Sequence, residues 1–350
     1  MRPAWRRLLG SGALLVLLLG AGPASYAASG AGAQAGIIFR IDADQIVESS
    51  SLAVSTVHRG FAYTTNDSGD GPYVYMLDRQ GRLVGTTTLS GVTPVDIEAI
   101  SAGRDGSLVV ADIGDNSGTR DSVVVYKIPQ PSTGDHTVTP TALTLHYADG
   151  PRNAESMIYD PASGRVLVVS KLIIGAKIYR TPKDAFSRDS AMLRPVADAP
   201  MMATDASLLP EHHAIVVRTY LDAVVYHYPG LTSWTDLELP AQEQGESIAW
   251  VPGGKKVWVG SEGVDSPVWS VPLPDLSGPL DAASGPRAEA PAVPAPSGGS
   301  GPPDGAAMAS PPRVHQPSSI VRVGTSAGAV AALVGVVVLL SRPRRNRAGD

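Results

Sequence analysis

The chain has 350 residues with no cysteine, 5% aromatics, 37 glycines and 30 prolines. That composition excludes a disulfide framework and thiolate metal sites, and it suits turn-rich β structure better than a helix bundle. Seven arginines crowd the termini, and between them residues 8–341 hold 21 basic against 32 acidic side chains, a body near −11 that repels phosphate backbones and anionic lipid, so no nucleic-acid partner is expected.

Residues 1–35 read as a signal peptide: Arg2, Arg6 and Arg7 precede an apolar run over 8–19, and small-x-small sites follow at Ser25-Tyr26-Ala27 and Ala33-Gln34-Ala35. Residues 36–278 form the expected folded domain. Residues 279–319 hold ten prolines among Ala, Gly and Ser, a composition that buries too little apolar area to order itself and predicts an extended stalk. A membrane helix is expected over 320–341, because positions 323–340 carry no charge and, at about 1.5 Å per residue, just span a hydrocarbon core. The arginine-rich tail 342–350 then stays in the cytoplasm. The expected location is the cell membrane, with a single pass and the domain outside. Gly324 and Gly328 have the spacing of a helix-packing motif. The stretch Gly324-Thr325-Ser326-Ala327-Gly328 matches a nucleophile elbow only formally, since that elbow needs a strand before it and a helix after it.

Residues 36–275 repeat. Short apolar strands centred on Leu52, Ile100, Met157, Leu208 and Ile248 recur at intervals of 48, 57, 51 and 40 residues, a spacing that marks propeller blades. Second strands follow over 61–64, 108–111, 166–169, 215–217 and 257–259, after turns such as Arg104-Asp105-Gly106. Third strands follow over 73–76, 123–126, 177–179, 224–226 and 268–271, and weaker fourth strands over 83–88, 142–147, 192–196 and 237–239. The fifth unit lacks a fourth strand, while Ile37-Ile38-Phe39-Arg40-Ile41 has no other partner. The expected fold is therefore all-β: a β-propeller of five four-stranded blades closed by the N-terminal strand, which leaves no open edge. Six blades and a β-sandwich are the alternatives.

In such a blade the start of the first strand and the loop between the second and third strands meet at one mouth of the central channel. The strand starts bring Asp96, Glu98, Glu155, Asp205 and Glu246 there; the loops bring Asn66, Asp67, Asp70, Asp112, Asp115, Asn116, Lys171, Arg218 and Glu262. Crowded carboxylates need a cation, and hard oxygen donors suit Ca²⁺ or Mg²⁺. The metal candidates are Asp67, Asp70, Asp112, Asp115, Glu155 and Glu246. The ligand-binding candidates are Asp67, Glu98, Asp112, Glu155, Lys171, Arg218, Glu246 and Glu262. For the loops 66–71 and 112–116 the competing reading is plain turn capping by Asp and Asn. The histidines are scattered without a metal-binding spacing, and the strand aromatics read as packing between blades.

Val95-Asp96-Ile97-Glu98-Ala99-Ile100, followed by Gly106-Ser107-Leu108-Val109-Val110-Ala111-Asp112-Ile113-Gly114-Asp115-Asn116, resembles secreted, membrane-anchored β-propeller proteins of the actinobacterial type. The Asp-x-Glu-Ala opening is also similar to phytase-related, esterase-like propellers and to WD-repeat-like blades. The likeness covers residues 45–130, and it implies a propeller with metal-assisted ester or phosphoester hydrolase ancestry. The basic residues that such hydrolases array around bound calcium reduce here to Lys171 and Arg218. Two functions are expected in competition. One is a tethered module that binds an extracytoplasmic ligand, or an envelope protein or polymer, at the acidic mouth. The other is a Ca²⁺- or Mg²⁺-dependent hydrolase, with Lys171, Arg218 and Glu98 as its catalytic set.

Overall fold

The computed structural model describes residues 35–67 and 69–277; residues 1–34 of the expected signal, the stalk, the membrane helix and the basic tail lie outside the described residues. Among the described residues no helix is long and apolar enough to cross a membrane.

The chain opens with β1 (Gly36–Arg40) and then runs through consecutive antiparallel meanders. The first comprises β2 (Ser49–Val54), β3 (Ala62–Asn66), β4 (Tyr73–Leu77) and β5 (Leu83–Leu89). The second comprises β6 (Ile97–Ala102), β7 (Ser107–Asp112), β8 (Val123–Pro129) and, after the short β9 (His136–Val138), β10 (Thr141–Tyr147). The third is β11 (Ala154–Asp160), β12 (Arg165–Ser170), β13 (Lys177–Arg180) and β14 (Ser190–Asp198). The fourth is β15 (Ala203–Leu209), β16 (Ala214–Thr219), β17 (Asp222–His227) and β18 (Ser233–Glu238). The last, β19 (Gly245–Trp250), β20 (Lys256–Ser261) and β21 (Pro267–Pro272), takes β1 as its fourth strand, with Gly36 opposite Ser270 and Arg40 opposite Pro267.

Burial follows position within each meander. Every residue of the innermost strands β2, β11 and β19 is buried, so they show no alternation of apolar and polar positions, and the acids Glu155, Asp160 and Glu246 are buried with the rest. Outer strands such as β10 alternate between buried and open positions, as a half-covered strand must. The first strands pack side by side in the cyclic order β2, β6, β11, β15, β19 and back to β2. One apolar cluster fills each seam between neighbouring meanders: Tyr63 with Val110, Val125 with Met157, Ile178 with Ile215, Val225 with Val259, and Phe39 with Tyr75. This radial array around a central axis is a β-propeller.

Aromatic rings serve the seams as expected. Tyr147 and Tyr179 meet edge-on at 5.0 Å between the second and third meanders, and Phe39 and Trp258 do so at 5.5 Å in the closing one. Side chains also latch the inner strands, which share no backbone ladder with one another. Ser51 Oγ accepts from Ile100 N at 3.1 Å, Ser101 Oγ from Tyr159 N at 3.1 Å, and Ser207 Oγ from Trp250 N at 3.0 Å.

The structure adds two features that the sequence reading lacks. β9 pairs parallel with β5, and β10 pairs parallel with β14, so neighbouring meanders are also stitched along their outer edges. β9 is three half-open residues with one apolar side chain, too short to leave a periodic pattern. The fourth strand expected over 237–239 begins earlier, at Ser233, because its polar residues pair through backbone groups alone.

Candidate functional site

Among the described residues the first strands β2, β6, β11, β15 and β19 each carry a register shift at the same place, next to the second strand. The extra residues are Ser50, Glu98, Glu155, Thr204 and Glu246. A bulge leaves one residue outside the ladder and re-aims its side chain. Repetition around the axis therefore gathers these five positions into one buried layer, which is polar throughout. Ser50 Oγ donates to the Glu98 carbonyl at 2.9 Å and to Glu98 Oε2 at 3.3 Å, which ties two members of the layer together.

A second, more open layer lies just past the second strands. Asn66, Ser170, Thr219 and Ser261 are the last paired residues there, and Asp67, Lys171, Tyr220 and Glu262 follow them at the same register position. These four side chains are half-buried. Lys171 Nζ pairs with Glu155 Oε2 and donates to Tyr220 OH at 2.6 Å. Gln244 Nε2 bridges Glu262 and Glu246, at 3.2 Å to Glu246 Oε1.

The electrostatics of the two layers are those of excess negative charge with one compensating ammonium. Burial, and then the neighbouring Asp67, push Asp96 and Glu262 each up to about 7. Burial raises Glu246 to about 7 and Glu155 to about 8 even though Lys171 opposes both shifts. Glu98 is driven well above the carboxylate range by burial and then by Glu155. Burial alone would lower Lys171, but Glu155 and Glu246 win and hold it above its usual range. Arg120 beside Asp96 and Arg218 beside Glu246 oppose the rise without cancelling it, because burial outweighs them, so near neutrality the carboxylates hold protons in part.

Within this cluster Asp67, Asp96 and Glu98 bring one carboxylate oxygen each to within 4.8 Å of one another. Asp96 is nearly buried, and its Oδ1 makes no hydrogen bond. Gly114 leaves the room: a Cβ there would lie 2.2 Å from Asp96 Oδ2 and 2.6 Å from Glu98 Oε1. A set of hard carboxylate donors with an unsatisfied oxygen fits Ca²⁺ or Mg²⁺ rather than a soft metal.

The other expected site residues go elsewhere. Asp112 accepts from Val95 N and Asp96 N at 3.0 Å each and pairs with Arg120 at 2.8 Å, so it frames the mouth without opening into it. Asp115 caps the loop amides of Thr119 and Arg120, at 3.0 and 2.8 Å. Asp70 accepts from Asn66 Nδ2, Gly71 N and Tyr75 OH. All three carboxylates thus spend their oxygens on backbone amides and neighbouring side chains. Asp205 is fully buried and accepts from Ser51 Oγ at 3.1 Å and Ile248 N at 2.8 Å, a cross-axis tie. Arg218 is fully buried too. Its guanidinium donates to Ser247 O at 2.8 Å, Gly260 O at 3.2 Å and Gln242 Oε1 at 2.5 Å, and Gly245 makes way for it, since a Cβ there would sit 1.8 Å from Nη2. Those partners make it a seam residue between the fourth and last meanders. Ser50, Thr204, Tyr220 and Gln244 join the mouth unannounced by charge or motif. Their only signal is register, which requires knowing where each bulge falls.

No protein-family model matches the chain, and no curated protein matches it. Among solved structures, a luciferin-regenerating enzyme is 12% identical with a TM-score of 0.43, over 63% of this chain and 76% of that one. A gluconolactonase from Xanthomonas campestris is 13% identical with a TM-score of 0.38, over 61% and 69%. A glucose dehydrogenase is 9% identical with a TM-score of 0.44, over 69% and 100%. Overlap at that level carries nothing about activity to this chain, whose chemistry rests on its own side chains.

Proposed function

We propose that the protein is a five-bladed propeller held outside the membrane by one C-terminal span, and that it is a binding module taking a cationic ligand into its acidic mouth. The supporting observation is the charge imbalance of the mouth: Glu98, Glu155, Glu246 and Glu262 all feel the one ammonium of Lys171, and Asp67 and Asp96 add further carboxylates to the same cluster. Lys171 is engaged by Glu155 and Tyr220. An incoming cation lets the remaining carboxylates ionise, and that relief is the driving force for binding.

A divalent ion is the second reading, favoured by the Asp67–Asp96–Glu98 group and the unpartnered Asp96 Oδ1. Bound there, Ca²⁺ or Mg²⁺ would supply Lewis acidity toward a phosphoester or ester, with Lys171 beside it to steady negative charge. Arg218, expected to share that task, has its donors on carbonyls and an amide instead.

The test is thermal unfolding of the full chain in detergent at matched ionic strength, with arginine amide, Ca²⁺, Mg²⁺ or EDTA. A ligand bound only by the native state raises the midpoint by mass action, by roughly 2–4 °C per kcal/mol for a domain of this size. The expected outcome is a rise with arginine amide that disappears in the Glu98→Gln/Glu155→Gln double variant. A rise with one divalent ion alone, lost in Asp67→Asn, moves the assignment to the metal reading. No rise with any of them sinks both.

A further inference from the structure

We propose that the face around the acidic mouth is a docking surface for an apolar, extended protein segment that inserts a lysine or arginine side chain into the mouth. This rests on the cation-binding reading and names its ligand class. Most of the exposed large apolar side chains among the described residues lie on this one face. Val47, Val95, Ile174, Met201, Leu221 and Val264 are 41%, 65%, 88%, 62%, 81% and 68% exposed. Glu48 belongs to the mouth through its carbonyl, which accepts from Asp67 N at 2.9 Å, and each apolar residue sits within one to three positions of a mouth residue (Glu48, Asp96, Lys171, Thr204, Tyr220 and Glu262, in that order). The topology explains why: the loops entering the first strands and those joining second to third strands emerge together. Leu172 O accepts from Met202 N at 3.1 Å, which sets the 171–176 loop beside the entry to β15.

Large apolar side chains gathered on one face mark an interaction site, and they are a poor surface to leave in water; the usual arrangement of an apolar centre within a polar rim is inverted here, so the partner must bring charge to the centre. The occupant follows from charge. A second copy of this face would oppose acid to acid, and an anionic bilayer would be repelled. An apolar segment with one basic side chain satisfies both parts: the rim covers its flanks, and the carboxylates take its cation. The mouth already accommodates one ammonium in this manner, with Lys171 Nζ on Glu155 and 4.9 Å from the Tyr220 ring centre. The Asp67–Asp96–Glu98 group and Glu262 offer the same chemistry to a second. Arginine is among the residues that dominate the energetics of many interfaces.

The experiment pans random peptides displayed on phage against the full chain in detergent, then measures the affinity of the enriched peptides for three proteins: the unaltered chain, a rim variant (Val95→Ser/Leu221→Ser) and a mouth variant (Glu98→Gln/Glu262→Gln). The expected result is enrichment of peptides with a Lys or Arg between apolar residues, whose binding falls at least about tenfold in both variants. The rim variant should still respond to arginine amide, which shows that it is folded and its mouth intact. Absence of enrichment, or enrichment of peptides without a basic residue, overturns the proposal. Peptide binding unchanged in the rim variant overturns the docking surface but leaves the cation-binding reading standing. Binding lost in the rim variant and unchanged in the mouth variant overturns the cation-binding reading itself.

Discussion

Asp96, Glu155, Glu246 and Glu262 sit within a buried or half-buried cluster where ionisation is opposed first by burial, with neighbouring carboxylates adding to it. Their folded values of about 7 to about 8 lie above those of unfolded carboxyls, near about 4. The sign follows directly. The folded state binds protons more tightly, so these groups contribute stability that is fully present below about pH 4 and is lost as pH rises through about 7 to 8. Lys171, raised rather than lowered, stays charged across that window and does not cancel the effect. The thermal midpoint of the ligand-free chain should therefore fall between about pH 4 and about pH 8 and level off above it, and the Glu98→Gln/Glu155→Gln variant should flatten the fall. A midpoint that rises with pH in the unaltered chain would show the carboxylates to be ionised and compensated already. That these side chains share one site was legible from the repeat, since Asp67, Glu98, Glu155, Lys171, Glu246 and Glu262 all come from equivalent places in successive units. Which acids cap turns was not legible. Asp112 and Asp115 are set apart by the amides and the guanidinium that fold back on them, which no spacing in the sequence announces.

At the scale of elements the repeat was readable because buried inner strands and turn residues recur at a fixed spacing, and the stray strand at residues 37–41 implied its own partner. β1 now pairs with β21 along the edge that would otherwise be open. Deleting residues 36–40 uncovers the backbone groups of β21 and removes Phe39 from the seam it shares with Leu52, Tyr75 and Trp258. The shortened chain should elute from size exclusion as aggregate; a monomeric, fully folded elution would show that closure by β1 is dispensable. The bulges were invisible in sequence. A one-residue slip changes no composition and no periodicity over a strand of six, yet it decides which side chain leaves the ladder.

For the whole molecule, the acidic body and the apolar run near the C-terminus argue for a domain held above a surface it does not adhere to. If residues 320–341 span the bilayer, the full chain should stay in the membrane pellet after alkaline carbonate, and removal of residues 320–350 should release it to the supernatant. Extraction of the full chain by carbonate alone would remove the tether from the proposed function.

The all-β class, the repeated meanders, the closing strand and the acidic character of one mouth follow from hydrophobic period, turn residues and charge, which are local properties of the chain. Which acids face one another is set by the packing of distant segments. It placed Glu98 with Asp67 and Asp96, gave Lys171 to Glu155 and Tyr220, and drew Arg218 into a seam. Those assignments depend on bulge position and on competing hydrogen bonds across some 29 to 154 residues of chain, as in Arg218 to Ser247 and Ser51 to Asp205. Contacts of that range carry no local signature, and they form only when the ring closes.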